Sequence, residues 1–249
     1  MAAAAAEQAR MRAELEELRG SYHLSGAAKK LDIRQVEPFS TIAHEVMSSG
    51  RTGMNYDRLY TLWQAVGVAP AAAPVAEVGA YLGGSARFII EALRARARAP
   101  KFYVCDTFAG HAQTDPDIDL LHHESGKFAA ASADDAAEYL AGCPGLELVV
   151  GDIVETSERL AHETFGLVHV DVDVYPTTDF CLHFFAPRLV EGGLILLDDY
   201  GFITCPGVKQ AADEFVAEFP QFRLWHLLTG QATITRIVAH GDQPSRDPA

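Results

Sequence analysis

The stretch "VHVDVDVYPTTDF" at residues 168–180 joins a run of apolar residues to two carboxylates. The apolar run is typical of a buried strand, and Asp171 and Asp173 follow it two residues apart. A second stretch, "LILLDDYG" at residues 194–201, has the same arrangement and ends in Asp198 and Asp199. Strands that are apolar throughout are typical of parallel sheets whose two faces are both covered by helices.

Similar strand-like runs alternate with helical patterns from residue 75 onward, which predicts a doubly wound α/β fold. The predicted parallel strands are residues 75–79, 102–106, 146–152, 166–171 and 193–198. Two later runs, residues 222–228 and 231–238, are separated by Thr229 and Gly230. This spacing predicts a C-terminal antiparallel hairpin at the end of the sheet.

The composition of the 249-residue chain favours one large domain with an extension, because 49% of the residues are hydrophobic. We expect an N-terminal helical extension at residues 1–50, a main domain at 51–240 and a disordered tail at 241–249. The extension is expected to support a homodimer or a higher homo-oligomer. Residues 55–67 predict a helix with Asn55 as its cap.

The formal charge of −14 disfavours a nucleic-acid partner, because phosphate backbones would be repelled. No apolar run is long enough to predict a membrane span. The alanine-rich N-terminus lacks the pattern of a signal peptide. Four scattered cysteines without a CxxC pair are typical of reduced thiols, so we expect a cytoplasmic protein.

Acidic residues end most of the predicted parallel strands. In an open α/β sheet the ligand crevice lies at the carboxyl ends of the strands, so these acids should converge on one rim. A single acid after a strand is usually a cap or turn residue, but capping explains a repeated pattern poorly. The acids that end the strands are Asp106, Asp152, Asp171 and the Asp198–Asp199 pair, and Glu77 lies within the first strand.

The glycine-rich turn "EVGAYLGGS" at residues 77–85 follows the first strand. Its spacing matches neither the dinucleotide-binding GxGxxG pattern nor a P-loop. Asp106, at the end of the next strand, suits a ribose diol. Together with Asp152, these features predict an adenosine-type cofactor across the first three strands.

The carboxylates of the last two parallel strands should lie beside that cofactor. Asp171, Asp198 and Asp199 would repel one another, and we expect no Lys or Arg near them. A divalent cation would offset this repulsion, and oxygen ligands suit Mg²⁺ or Mn²⁺. The alternative is that Asp198 caps a turn and Asp173 is exposed at the surface.

The chain also resembles a known protein family. Residues 52–236 resemble the class I S-adenosylmethionine-dependent methyltransferases, and among them the macrocin O-methyltransferase group, which methylates sugars in antibiotic biosynthesis. The resemblance rests on six motifs in the order and spacing of that family, and the combination of DxDxY with DDYG is specific. These motifs are "EVGAYLGGS", "CDTFAGH", "GDIVETSERL", "VHVDVDVYPTT", "GGLILLDDYG" and "CPGVKQAADEF".

The resemblance implies a Rossmann-like seven-stranded sheet and a set of site residues. Asp171, Asp198 and Asp199 would bind Mg²⁺, and Asp173 would be the general base, with Asp171 as the alternative base. "RTGMNYDRLY" at residues 51–60 resembles a segment that covers the cofactor, with Met54 over the site. The cofactor-binding residues implied are Met54, Glu77, Gly79, Tyr81, Gly83, Ser85, Asp106, Thr107, Asp152 and Ile153.

The predicted reaction is the transfer of a methyl group from S-adenosylmethionine to a sugar hydroxyl, with the acceptor a free, nucleotide-linked or aglycone-linked deoxysugar. Mg²⁺ chelated by two hydroxyls would lower the pKa of one of them, and Asp173 would take its proton. His122 and His123 compete for the role of base. Residues 107–131, which also hold the unexpected His111, form a polar stretch long enough to be a lid.

Two other functions remain open. A strand ending in DxDx and a later strand ending in DD also resemble the haloacid-dehalogenase phosphatases. Only about 25 residues separate the two motifs here, and no Lys lies between Asp173 and Asp198, which argues against that family. A non-catalytic S-adenosylmethionine-binding domain would leave the carboxylate cluster without a role.

Overall fold

Seven strands form one sheet in the described part of the chain, which in this computed structural model covers residues 32–119, 123–129 and 131–237. The strands are β1 (Val75–Val78), β2 (Phe102–Asp106), β3 (Leu146–Val150), β4 (Phe165–Val170), β5 (Leu189–Leu197), β6 (Phe222–His226) and β7 (Ala232–Arg236). Their order is β3-β2-β1-β4-β5-β7-β6. β1 to β5 are parallel, and β7 is antiparallel to both β5 and β6. The predicted fold class and the antiparallel hairpin are confirmed.

Seven α-helices accompany these strands within the described residues. They are α1 (Phe39–Ser48), α2 (Tyr56–Val68), α3 (Gly84–Arg94), α4 (Ala133–Tyr139), α5 (Ile153–Thr156), α6 (Tyr175–Phe185) and α7 (Pro206–Glu218). α1, α2 and α3 pack against one another, whereas α6 packs against α5 and α7. No helix in the described residues is long and apolar enough to cross a membrane.

The two sides of the sheet bury different side chains. Ala76 and Val78 of β1, with Ile195 and Leu197 of β5, pack into the large apolar core that also holds buried residues of α6 and α7. Side chains alternate along a strand, so the residues between them point to the opposite side, towards α2. That side also holds a network of polar side chains near the carboxyl ends of the strands.

Helix ends follow the capping chemistry expected from the sequence. The side chain of Asn55 accepts a hydrogen bond from the amide of Arg58 (3.0 Å), which starts α2 as predicted. Ser132 caps α4 in the same way. Pro187 ends α6 in a short 3-10 turn, and the strand after it begins at Leu189, so β5 starts four residues earlier than predicted.

The N-terminal boundary differs from the one predicted between residues 50 and 51. The chain divides into two compact units between Gln35 and Val36. The second unit includes α1, because Phe39 is fully buried and its ring contacts Tyr60 (5.0 Å between centroids) and Phe88 (6.1 Å). In the first unit, the described residues form one 3-10 turn at Ile33–Gln35. The predicted helix before Gly20 and the tail at 241–249 lie outside the described residues.

Candidate active site

A cavity of about 300 Å³ opens at the carboxyl ends of the parallel strands. It lies where β1 is flanked by β2 on one side and β4 on the other, which is the switch point of the sheet order and the usual ligand crevice of such folds. The cavity brings together most of the side chains predicted from sequence. Those lining it are Met54, Gly79, Tyr81, Ser85, Asp106, Thr107, Asp152, Ile153, Asp171, Asp173 and Asp199.

Gly79 allows the chain to turn between β1 and α3. Its φ is +89°, and a Cβ atom there would collide with the backbone carbonyl oxygen of Asp171. The turn therefore requires glycine for both its conformation and its contact with β4. Gly83, also left-handed at φ +82°, packs against Tyr139 and Leu140 outside the cavity.

Asp106 holds the same turn through its carboxylate. One oxygen, Oδ2, accepts the amides of Ala80 (2.7 Å) and Tyr81 (2.8 Å), and Oδ1 accepts the amide of Phe108 (2.6 Å). A carboxylate has about four acceptor positions, so these three bonds leave room for one ligand hydroxyl. Asp106 thus shapes the turn and can also bind a ligand from the cavity.

Asp152 and Ile153 form the far wall of the cavity, at the start of α5. Asp152 caps this short helix, because its carboxylate accepts the amide of Val154 (3.0 Å) and lies 3.4 Å from the side-chain nitrogen of Gln113. Ile153 is buried. The wall therefore offers an apolar surface beside a carboxylate, which suits the flat apolar face and polar edge of a purine.

Three carboxylates crowd the other end of the cavity: Asp171, Asp173 and Asp199. Burial, followed by the charges of Asp199 and Asp173, raises the pKa of Asp171 well above its usual value. Burial and the charge of Asp199 raise the pKa of Asp173 to about 7. Asp173 also has a φ of +64°, a conformation that costs energy for a residue with a side chain.

Asp198 is fully buried and does not line the cavity, although it was predicted on the rim of the sheet. It forms an ion pair with Arg58 of α2 and accepts a hydrogen bond from the side chain of Gln231 (2.6 Å). Arg58 also lies 3.7 Å from Asp199. The expectation that no basic residue lies near these acids was therefore wrong, because α2 brings a guanidinium to them.

Arg58 could have been found in the sequence. It lies four residues before Leu62 and next to Leu59, both fully buried, so it borders the apolar face of α2. A charged residue at the edge of a buried helical face needs an opposite charge inside the protein. The available opposite charges are the acids at the strand ends.

Glu77 is not among the residues that line the cavity, and its contact with the cofactor remains a prediction. It is fully buried, and the β1–β4 register sets it opposite His169. Glu77 Oε1 is 2.9 Å from His169 Nδ1, and His169 Nε2 is 3.6 Å from Asp198 Oδ1. Glu77, His169 and Asp198 are buried beneath the cavity and are joined to Arg58, which itself lines the cavity, in a polar network that we call the floor network.

The predicted lid, residues 107–131, contributes to the cavity through Gly110, His111, Lys127 and Phe128. His111 Nε2 lies 3.1 Å from His123 Nδ1 and 3.9 Å from Asp173 Oδ2. Burial is the main cause that lowers the pKa of His111 to about 4, and it also lowers the pKa of His123. His122 lies outside the described residues.

Asp119 ties this segment to the helices beneath it. It is fully buried, and its carboxylate accepts the amides of Tyr175 at the start of α6 (3.1 Å) and Asp115 (2.8 Å). His123 Nε2 lies 2.9 Å from the carbonyl oxygen of Thr204. Asp119 was not predicted as a site residue, because an acid in a polar loop gives no sequence signal of burial.

Comparison with known families identifies this arrangement. A family profile described as "Methyltransferase domain" matches residues 76–200, about half of the chain, from β1 to the end of the Asp198–Asp199 motif. The chain belongs to this methyltransferase family. The match covers the glycine turn, Asp106 and the carboxylate cluster, whereas Met54 and Arg58, which also line the cavity, precede it.

Two curated proteins similar to this chain come from Streptomyces. One is the 8-demethyl-8-(2,3-dimethoxy-alpha-L-rhamnosyl)-tetracenomycin-C 4'-O-methyltransferase of Streptomyces olivaceus, 27% identical over 52% of this chain and 53% of that protein. The other is the demethyldecarbamoylnovobiocin O-methyltransferase of Streptomyces niveus, 26% identical over 57% of this chain and 58% of that protein. The matched region thus spans only slightly more than half of each relative.

One solved structure of another protein has the same fold as this chain. The O-methyltransferase NovP superposes with a TM-score of 0.66 at 24% sequence identity, over 76% of this chain and 83% of that chain. The fold of this chain therefore matches an architecture already seen by experiment.

Proposed function

We propose that this protein transfers a methyl group from S-adenosylmethionine to a hydroxyl of a sugar, in the biosynthesis of a glycosylated natural product, with help from Mg²⁺ or Mn²⁺. The observation that carries the proposal is one continuous cavity with two chemically different ends. The glycine turn and Asp106 line one end, and Asp171, Asp173 and Asp199 line the other. Both curated relatives are named as O-methyltransferases, and one name includes a rhamnosyl group.

The first end of the cavity fits S-adenosylmethionine. Met54, Val78 and Ile153 supply apolar contacts, and Asp106 keeps an acceptor position for a ribose hydroxyl. When bound, S-adenosylmethionine supplies an electrophilic methyl group. Met54 is buried over the site, so it excludes water from the region where the methyl group is transferred.

The second end fits a divalent cation by the chemistry of its ligands. The oxygens of Asp171 and Asp199 face the cavity, and a cation would offset the repulsion that raises the pKa of Asp171. Asp198 is engaged by Arg58 and Gln231, so its predicted role as a ligand remains a prediction. When bound, the cation would lower the pKa of a coordinated sugar hydroxyl.

Asp173 is the proposed general base, and Asp171 is the alternative. The left-handed backbone at Asp173 turns the chain away from β4 and leaves its carboxylate on the cavity wall. It accepts the proton of the attacking hydroxyl, and its raised pKa keeps that proton on Asp173 after transfer. The remaining residues position the reactants, which is the main contribution expected in a direct methyl transfer.

Calorimetry with S-adenosylmethionine, followed by transfer of a labelled methyl group to a panel of free, nucleotide-linked and aglycone-linked deoxysugars, tests the proposal. EDTA should abolish transfer, and Mg²⁺ or Mn²⁺ should restore it. Asp171→Asn and Asp199→Asn should raise the Mg²⁺ concentration needed for half-maximal rate. Asp179→Asn, an exposed carboxylate on α6 paired with His183, is the matched control.

Each other outcome assigns a different function. Full activity in chelator rejects the metal. Phosphate release from phosphosugars without cofactor binding indicates a phosphatase. Cofactor binding without transfer to any acceptor indicates a binding domain.

The expected homo-oligomer and the cytoplasmic location remain predictions, and light scattering of the full chain checks the oligomer.

A further inference from the structure

We infer that His111, His123 and Asp173 form a second metal site, selective for Zn²⁺, Co²⁺ and related transition metals. It is distinct from the proposed Mg²⁺ site at Asp171 and Asp199. One ligand atom from each residue lies within 4.8 Å of the others. His111 is a residue that the family resemblance left unexplained, and this site gives it a role.

The spacing of the ligand atoms fits a tetrahedral ion. Metal–ligand bonds of about 2.0 Å in a tetrahedral site separate neighbouring ligand atoms by about 3.3 Å. The separation is 3.1 Å between His111 Nε2 and His123 Nδ1, and 3.9 Å between His111 Nε2 and Asp173 Oδ2. The third separation, between His123 and Asp173, is at most 4.8 Å, so the Asp173 carboxylate would have to move towards the two imidazoles when the ion binds.

His123 is already oriented as metal-binding histidines are. Its Nε2 lies 2.9 Å from the carbonyl oxygen of Thr204, which can only accept a hydrogen bond, so Nε2 carries the proton. The lone pair of the neutral ring is therefore on Nδ1, which faces His111. Metal-binding histidines commonly donate their other N–H to a carbonyl in this way, which fixes the ring and its tautomer.

The hydrogen bond between the two imidazoles does not oppose metal binding. Since Nδ1 of His123 is an acceptor, His111 Nε2 is the donor in the 3.1 Å contact. Ligation requires that the proton of His111 be on Nδ1 instead of Nε2, and that Asp173 lose the proton it partly holds near pH 7. The ion would take the place of the shared proton between the two rings.

The site is a catalytic-type site in its geometry, with three protein ligands and an open position. His123 is almost fully buried, whereas the side chains of His111 and Asp173 line the cavity. Asp199 lies close to Asp173 and its negative charge favours a cation there, whereas the positive charge of Lys127 acts in the opposite direction. Two imidazole nitrogens and one carboxylate prefer Zn²⁺, Co²⁺ or Fe²⁺ to Mg²⁺.

Cys205 is not part of this set, although its sulfur is close. The sulfur lies 3.5 Å from His123 Nε2, the nitrogen that faces away from His111, and 3.4 Å from Asp173 Oδ1. A metal held between the two imidazoles would therefore have nitrogen and oxygen ligands only. This gives the site a spectroscopic signature, because thiolate ligation to Co²⁺ adds a charge-transfer absorption.

A metal in this site would occupy the carboxylate that the proposed function uses as its base. Zn²⁺ should therefore inhibit methyl transfer even when Mg²⁺ is saturating. This consequence rests on the proposed function, whereas metal binding itself does not. A direct binding measurement keeps the two hypotheses separate.

The test is a titration of the full-length protein with Co²⁺ in excess Mg²⁺, followed by absorption spectroscopy and calorimetry. One equivalent should bind to the wild type without a thiolate charge-transfer band. His111→Gln and His123→Gln should each weaken binding at least about tenfold, the size of effect seen when even a supporting residue is lost. Asp171→Asn should retain the site, and His183→Gln, which changes a half-exposed histidine on α6, is the matched control.

Two results would overturn the inference. Co²⁺ affinity unchanged in both His111→Gln and His123→Gln, with circular dichroism showing folded protein, would mean that the histidines are not ligands. Loss of Co²⁺ binding in Asp171→Asn with retention in the histidine variants would assign the ion to the Mg²⁺ site instead. Binding of Co²⁺ at the histidines without inhibition by Zn²⁺ would keep the metal site and count against Asp173 as the base.

Discussion

Replacing Arg58 by Met tests the floor network. The substitution keeps the length of the side chain but removes the charge that pairs with Asp198. The side chain of Asp198 is fully buried and that of Arg58 is 16% exposed, so Asp198 would become a buried, uncompensated carboxylate. Loss of one partner from such a pair costs about 3–5 kcal/mol.

The lower end of that range is the better expectation here. Gln231 still donates to Asp198 after the change, and the carboxylate can become protonated, so part of the penalty is avoided. About 3 kcal/mol corresponds to a fall in Tm of roughly 6–12 °C for a chain of this size. Scanning calorimetry at pH 7 in EDTA measures this fall.

Two further variants make the result specific. Asp198→Asn in the Arg58→Met background removes the orphaned charge and should recover most of the loss, about 2 kcal/mol, and the Asp198→Asn single variant completes the cycle that gives the coupling energy. Arg94→Met removes an exposed arginine that pairs with Glu91 on the surface of α3. Its effect should stay within about 0.5 kcal/mol.

The same variants decide whether Asp198 is a metal ligand. If Mg²⁺ restores the Tm of Arg58→Met but has no such effect on the double variant, the cation replaces the guanidinium at Asp198. If Arg58→Met melts like the wild type in EDTA, the ion pair contributes nothing and the argument from burial is refuted.

Three other changes test single contacts. Asp106→Ala should weaken S-adenosylmethionine binding at least about tenfold, since a charged acceptor contributes roughly 1.5–3 kcal/mol per bond; unchanged affinity by calorimetry would remove Asp106 from the site. Asp173→Asn should lower kcat by roughly 10²–10⁴ without weakening Mg²⁺ binding. In chelator, Asp173 should contribute a loss of stability to urea as pH rises from about 4 to about 7, because the folded carboxyl keeps its proton up to about pH 7 and the unfolded one loses it near 3.9. His111 and His123, whose pKa values are lowered, contribute in the opposite direction, so the quantity to measure is the difference in slope between wild type and Asp173→Asn. Stability should rise more steeply with pH in Asp173→Asn than in wild type, and equal slopes would contradict the raised pKa. Gly79→Ala should destabilise the fold by about 1–3 kcal/mol, because the added Cβ would collide with the backbone of Asp171. The control is Gly142→Ala, which has a similar φ of +78° but open space around the added Cβ, and it should cost less. Equal losses of stability in the two variants would mean that backbone strain alone is the cause.

Much of the fold was predictable because hydrophobic periodicity and turn chemistry act locally. β2 was predicted with its observed bounds, and the cap of α2 at Asn55 is confirmed. The N-terminal boundary was harder to predict from the sequence. α1 packs on the rest of the domain through Phe39, whose ring contacts aromatic side chains between residues 56 and 88. Contacts over such distances leave no local pattern in the sequence.

In the site, too, the residues given by local sequence patterns were predictable, and their partners from distant parts of the chain were not. Strand ends predicted which acids gather at the cavity, since the carboxyl ends of parallel strands share one edge. The partners of those acids come from elsewhere in the chain: Arg58 from α2, Gln231 from the start of β7, and His111 and His123 from the long connection after β2. Side chains of this kind can be placed only when the packing of the helices and the loop is known.

One feature of the floor network was nevertheless available from the alternation of side chains along a strand. In β5, Ile195 and Leu197 pack into the core shared with α6 and α7, so Leu196 and the following Asp198 point to the side of α2. His169 of β4 faces the same side, opposite Glu77. Asp198 follows this alternation into the interior, whereas the chain bends at Asp198 and Asp199, beyond the end of β5, and Asp199 lines the cavity. A pair of adjacent acids at the end of a buried strand should therefore be assigned two different partners, which here are the guanidinium of Arg58 for Asp198 and the ligand cavity for Asp199.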